Sequence, residues 1–184
     1  MTGILRVSSA PSALVTTDEV KAQTRITASS EDTLLGTYIA AATEAIDGPL
    51  AMAGRAFGSQ SWLYIIPAFP SRFLIPVPGA TAVSSISYQD ADDATQAMTV
   101  ANYYRVIVRD DGLWLELKDG VNAPETYGRS DAVTITVAAG GTVPTKIKQA
   151  ALLTVAAWYE DRTMGDIPSA AQHLIDLERI GWIA

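Results

Sequence analysis

The sequence predicts an α+β protein: a small α-helical bundle of two N-terminal and two C-terminal helices, with an antiparallel β-sheet inserted between them. Three observations carry this. Helical periodicity dominates both ends of the 184-residue chain. Between about residues 59 and 142 the composition shifts to short aromatic and β-branched runs separated by Pro and Gly, the pattern of strands and turns. Inside that stretch Asp110-Asp111-Gly112 separates two apolar runs, a strong hairpin signal. The implied organisation is a flexible N-terminal lead-in over 1–15, a helical core from 16–58 and 143–184, and an inserted β domain over 59–142.

Taken in order, residues 1–15 read as a loosely held lead-in. A helix starts with Thr16 or Thr17 as N-cap, followed by Asp18 and Glu19, where negative charge is favoured. Val20, Thr24 and Ile26 give it a modest apolar stripe. Ser29 and Asp32 stand at capping-box separation before a second helix, with Asp in place of the usual Glu. Leu34, Leu35, Tyr38, Ile39, Ala42, Ala45 and Ile46 recur there at helical spacing. Gly48-Pro49 interrupts or kinks this helix, with helix resuming over Leu50-Ala51-Met52 and stopping at Gly54.

The sheet region reads as five or six short strands. They are Ser61–Ile66, an extended piece at Phe73–Ile75, Val83–Tyr88 with imperfect alternation, the hairpin arms Tyr104–Val108 and Leu113–Leu117, and Ala132–Val137. Asp90–Thr95 is a polar turn. A last helix runs from about Pro168 to Ile180, followed by the apolar tail Gly181–Ala184.

The helix from Val143 to Arg162 is the dominant signal. Pro144 suits a helix start. From Ala150 to Tyr159 only Thr154 is polar, and a helix without a polar face is normally buried all round. One small subunit cannot shelter it entirely, so Ile147, Leu152, Leu153, Trp158 and Tyr159 are the candidate residues for core and subunit packing. The helix's charges oppose its dipole: Lys146 and Lys148 lie at the positive end, Glu160 and Asp161 at the negative end. They are either solvated end charges or face partners of opposite sign, such as an adjacent copy in a ring.

Composition restricts the chemistry. There is no cysteine, which excludes disulfides and thiolate catalysis. The one histidine, His173, excludes a multi-histidine metal site. No apolar run approaches a membrane span, and Met1–Val7 lacks a signal-peptide layout. A formal charge of −7 argues against gripping nucleic acid by its phosphates. It is compatible with a surface that DNA slides past.

No catalytic constellation stands out. His173 lies among Ala and Leu on a helix, and there is no Gly-x-Ser-x-Gly elbow. Asp90, Asp92 and Asp93 lack the glycine and distal glutamate of a calcium hand. Glu116 and Asp119 fit strand alternation plus a turn, and Gly140-Gly141 lacks the Walker pattern. Trp62, Tyr64, Tyr88, Tyr103, Tyr104 and Trp114 gather in the sheet region. They either pack it or form a stacking platform. No metal, cofactor or catalytic residue is therefore expected. A binding module for carbohydrate or protein on an aromatic sheet remains an alternative, as does a small hydrolase using His173.

These residues together resemble the head–tail connector proteins of tailed bacteriophages, also called adaptor or head-completion proteins, with relatives in gene transfer agents. The resemblance covers nearly the whole chain after residue 16. It is strongest over Val143-Pro144, Ile147-Lys148-Gln149-Ala150, Leu152-Leu153, Trp158-Tyr159-Glu160 and Arg162. Support comes from Thr17–Lys21, Ile39–Ala42 leading to Gly54–Phe57, Ser61-Trp62 with Phe69-Pro70, Ile75–Pro78, Val83–Asp90 and Tyr104–Val106. Gly48-Pro49 departs from it, where the family more usually continues its helix.

The resemblance implies a structural, non-enzymatic protein of the neck of a virion or phage-like particle, made in the host cytoplasm. It implies a ring of typically about twelve copies beneath the portal protein. Such a ring extends the DNA channel and meets a stopper or tail-completion protein. DNA passes without sequence-specific binding. The C-terminal segment would engage the portal, here through Leu174, Leu177, Ile180, Trp182 and Ile183. Asp110, Asp111 and Glu160 are candidates for an acidic lumen.

Overall fold

A computed structural model describes residues 3–179. In chain order the elements are β1 (Ile4–Ser9), α1 (Thr17–Thr24), α2 (Asp32–Ile46), β2 (Gln60–Ile66), β3 (Arg72–Ile75), β4 (Ala80–Gln89) and β5 (Thr95–Met98). There follow α3 (Val100–Tyr103), β6 (Tyr104–Arg109), β7 (Gly112–Leu117), β8 (Val133–Ala139), α4 (Thr145–Asp161) and α5 (Ser169–Asp176). The class is α+β. The chain divides into two compact units: residues up to Ala10 with Gln60–Gly140, and Pro11–Ser59 with the chain from Gly141 onward. Among the described residues no helix is long and apolar enough to cross a membrane.

The first unit holds two antiparallel sheets where one was expected: a five-stranded sheet ordered β1-β2-β8-β4-β5 and a three-stranded sheet ordered β3-β7-β6. Strict alternation in β2 and β8 turns Trp62, Tyr64 and Ile66 inward with Val133, Ile135 and Val137. Tyr64 stacks with Phe73 of the smaller sheet, and Phe73 meets Tyr104 edge-on. The Tyr104 hydroxyl donates to the Pro70 carbonyl at 2.8 Å. The two sheets thus share one core.

Two strand expectations change, and one expected irregularity is explained. Residues 4–9, read as part of a loose lead-in, form edge strand β1 against β2. β5 is a further edge strand whose short, polar sequence gave no signal. The imperfect alternation near Val83 has a physical cause: the β4–β8 register shifts between Ala80 and Ala82 and again between Val83 and Ser85. Thr81 and Ser84 are therefore bulge residues. Val83 and Ile86 pair with Val137 and Ile135, which share the inward face of β8, despite their odd spacing.

The hairpin forms as expected, with Val108 opposite Leu113 and Arg109 opposite Gly112. Gly112 has φ +138°, and a Cβ there would sit 2.1 Å from the Ile75 carbonyl oxygen. The close approach of β3 to β7 requires a glycine at this point.

The second unit is a bundle of α1, α2, α4 and α5. Its core joins Leu14, Val20, Leu35, Tyr38, Ile39 and Ile46 to Ile147, Ala151, Val155, Trp158, Ala171 and Ile175. The capping box lies at Thr16 and Glu19, not at Ser29 and Asp32. Glutamate spans back to the N-cap N–H, whereas aspartate is one methylene shorter. The N-cap of α2 is Glu31, without a side-chain cap. α2 ends at Ile46 and does not resume. Residues 48–55 form a tight turn closed by a bridge between Gly48 and Arg55.

Candidate functional site

α4 is the element on which the functional reading turns. Pro144 is its N-cap, and Arg162 ends it in the left-handed conformation with φ +54°. Ile147, Ala150, Ala151, Thr154, Val155 and Trp158 are buried, and the Thr154 hydroxyl returns to the Ala150 carbonyl at 2.8 Å. Trp158 is 5% exposed, and its indole N–H donates to the Gly165 carbonyl at 3.0 Å. Leu152, Leu153 and Tyr159 are half-buried against the same core. The five packing candidates thus separate into a buried pair, Ile147 and Trp158, and three residues that keep part of their surface open.

The lysines at the positive end of α4 are paired within their own unit. Lys146 reaches Glu178 at 2.8 Å and Lys148 reaches Glu19 at 2.9 Å. Of the two readings, partners of opposite sign are observed at this end, and they belong to the same chain rather than to an adjacent copy. Arg162 pairs with Glu31 at 3.1 Å and lies over the Tyr159 ring at 4.7 Å. The Glu31 carboxylate raises the Arg162 pKa. Glu160 and Asp161 are exposed, and among the described residues neither is ion-paired.

Glu19 is the most constrained of these acids. The Thr16 backbone N–H and then the Lys148 ammonium hold its carboxyl below the ordinary value of 4.5. A lowered folded pKa contributes stability that is present above the ordinary value and lost as pH falls through the lowered one. Glu19→Gln should therefore flatten the acid limb of unfolding free energy against pH, below about pH 4.5. An unchanged acid limb, measured by urea titration at successive pH values, would count against this role. The pair is partly exposed, so the contribution is modest.

The remaining candidates are dispersed. On α5, Leu174 is half-buried against the bundle core, while Leu177 just beyond it is 54% exposed. Ile180, Trp182 and Ile183 lie outside the described residues. His173 is exposed, and among the described residues its imidazole makes no hydrogen bond to a nucleophile or carboxylate. Asp110 is exposed at the hairpin tip, and Asp111 accepts from the Trp114 indole at 3.2 Å.

Asp90 closes its own turn. It accepts the backbone N–H groups of Asp92 and Ala94 at 3.0 Å and the Gln96 amide at 2.7 Å. These bonds, Gln96 first, lower its pKa. Among the described residues no three His, Asp or Glu side chains converge as metal ligands would.

The aromatic residues do not form a platform. Trp62 is only 3% exposed and Tyr64 and Tyr104 are buried in the core. Trp114 is half-buried, with the guanidinium groups of Arg72 and Arg109 at 4.7 and 5.7 Å from its ring. A sugar- or base-binding face needs coplanar, accessible rings, and Trp62, Tyr64 and Tyr104 are not accessible.

What the sequence reading missed is the turn at 48–55. Met52 and Ala53 donate backbone bonds to Ala45 and Ile46, and Ala53 is fully buried. Leu50, at the tip, is 74% exposed. Gly48-Pro49 and Gly54 bracket this turn, and their spacing was its only signal.

A family description, head completion protein, matches residues 13–167. The fold is also similar to solved particle components. One is from the neck of an empty gene transfer agent particle computed with C6 symmetry, at 19% identity and TM-score 0.76, covering 98% of this chain and 97% of that one. Another is from the virion of a native gene transfer agent particle, at 20% identity, TM-score 0.76 and the same 98% and 97% coverage. A third is from the neck of a native particle computed with C12 symmetry, at 21% identity, TM-score 0.69 and again 98% and 97%. At these identities the likeness is one of fold. No curated protein matches the sequence.

Proposed function

The chain belongs to the head completion protein family, and on that premise we propose that it forms a ring in the neck of a tailed virion or gene transfer agent particle. Its role is structural, as a head–tail connector, and it is not an enzyme. The ring sits beneath the portal, extends the DNA channel and offers its far side to a stopper or tail-completion protein. The family match over most of the chain carries this reading. It is supported by similarity to neck components solved with six- and twelve-fold symmetry.

Physical features agree with such a role. Leu152, Leu153 and Tyr159 on α4 keep part of their apolar surface open. Ring neighbours would finish covering them, and repetition multiplies weak contacts into a firm assembly. Exposed Leu177, with the apolar residues after it, suits docking on the portal. A net charge of −7 lets DNA pass without adhering.

Electron microscopy of the protein mixed with its cognate portal tests the proposal. The expected result is a ring of density on the portal's outer end. Portal particles that stay bare under saturating protein would overturn it.

A further inference from the structure

The two ends of the bundle carry complementary features, and they lie far apart. The Gly141 N–H donates to the Phe57 carbonyl at 2.7 Å, which sets the start of α4 beside the end of α2. Arg162 pairs with Glu31, which sets the end of α4 beside the start of α2. The helices are therefore antiparallel. The 48–55 turn occupies one end of the bundle and the acidic terminus of α4 the other. A helix of 17 residues separates them by roughly 25 Å at 1.5 Å per residue.

At the first end, Leu50 projects from a backbone locked by the Gly48–Arg55 bridge and by bonds back to α2. Arg55, at the base of the turn, has no carboxylate partner among the described residues. At the second end stand Glu160 and Asp161, exposed and without an ion-pair partner among the described residues, with Tyr159 half-buried and Met164 56% exposed. One end thus offers an aliphatic knob and a cation. The other offers an adaptable thioether, part of an aromatic ring and two anions. Complementary patches at opposite ends of one molecule produce head-to-tail contacts, which close into a ring when the rotation permits.

We propose that the Leu50 turn of one copy docks on the Tyr159–Met164 end of the next copy, with Arg55 facing Glu160 and Asp161. The occupant is a second copy of this chain, and the assignment rests on the ring reading above. The rigid turn suits the task, because a knob already ordered loses little entropy on docking. The negative charges at the end of α4, unfavourable to the isolated helix, acquire a partner only in the assembly.

The chain has no cysteine, so introduced thiols report without background. Leu50→Cys with Met164→Cys, carried in assembled particles and treated with a short bismaleimide, should give a ladder of dimers, trimers and higher species on a denaturing gel. The distance between the ends prevents linkage within one copy. Each single variant should give no ladder. Particles that contain the double variant yet yield no ladder overturn the assignment, whether another neck protein or another face of this chain covers Leu50.

If the thiol pair itself blocks incorporation, a charge exchange decides. Arg55→Glu should deplete the chain from particles, and adding Glu160→Arg with Asp161→Arg should restore it. Failure of that rescue overturns the assignment. Wild-type protein absent from purified particles would instead remove the connector reading on which it rests.

Discussion

Replacing Trp158 with alanine lowers the unfolding free energy by about 3–5 kcal/mol, the range for emptying a buried tryptophan site. The side chain is 5% exposed and packs in one cluster with Leu35, Tyr38, Ile39, Val155 and Ile175. α1, α2 and α5 all contribute to that cluster, so no single element can move in to fill the gap. The indole also donates to Gly165, which ties the segment after α4 back onto the helix. Trp158→Phe should cost less, since it keeps most of the apolar volume and loses mainly that hydrogen bond, worth about 0.5–1.5 kcal/mol. Leu177→Ala should shift stability by less than about 0.5 kcal/mol, as surface changes usually do. Urea unfolding of the three variants checks all of this. A loss under 1 kcal/mol for Trp158→Ala would mean that α4 is not packed as described.

That α4 was legible before any coordinates follows from its length and its unbroken apolar run, which no strand or loop reading accommodates. The hairpin was legible for a local reason too, because Asp110-Asp111-Gly112 fixes the turn and the turn fixes the register. The failures share a different physics. Pairing of β2 with β8 joins Gln60 to Ala139, and nothing local in either run says which strand will lie beside it. Division into two sheets is a long-range choice of the same kind. β1 was missed because an edge strand exposed on most positions needs no alternation. α1 was read through Ile26, but Arg25 ends it with φ +58°. Helix stops of this type are usually announced by glycine, and arginine gives no such notice.

The candidate site shows the same boundary. Residues fit for an apolar interface could be named from the period of α4, yet the period alone could not divide buried Ile147 and Trp158 from half-open Leu152, Leu153 and Tyr159. That division depends on where α1, α2 and α5 lie. The lysines' partners were out of reach for an equally tertiary reason. Glu19 and Glu178 are distant in sequence from Lys148 and Lys146, and only the fold brings them within 3 Å. An acidic or basic residue opposed to its helix dipole signals a missing partner, but the signal does not say whether that partner is in the same chain.

Asp47→Ala should destabilise the bundle by about 3 kcal/mol and release the turn that follows it. Asp47 is buried at the C-cap of α2, where the negative end of the helix disfavours a carboxylate. Its retention there is explained by what it accepts: the N–H of Phe57 at 2.7 Å on one oxygen and the N–H of Gly58 at 2.7 Å on the other. Removing the carboxylate takes a buried acceptor from both N–H groups, at about 1–3 kcal/mol each. The neighbourhood of the carboxylate is closely packed. A Cβ on Gly58 would already lie 2.5 Å from the Ser12 carbonyl and 2.8 Å from the Asp47 carboxylate. Asp47→Asn should lose roughly half as much, since the amide keeps one acceptor and sets an N–H against the second donor. The two carboxylate bonds close the loop of chain between residues 47 and 58, so their loss should also raise hydrogen exchange at Phe57 and Gly58 and loosen Leu50. An Asp47→Ala protein with unfolding energy within 1 kcal/mol of wild type, and with those two amides still protected, would show that the backbone bonds of the turn hold it without the carboxylate.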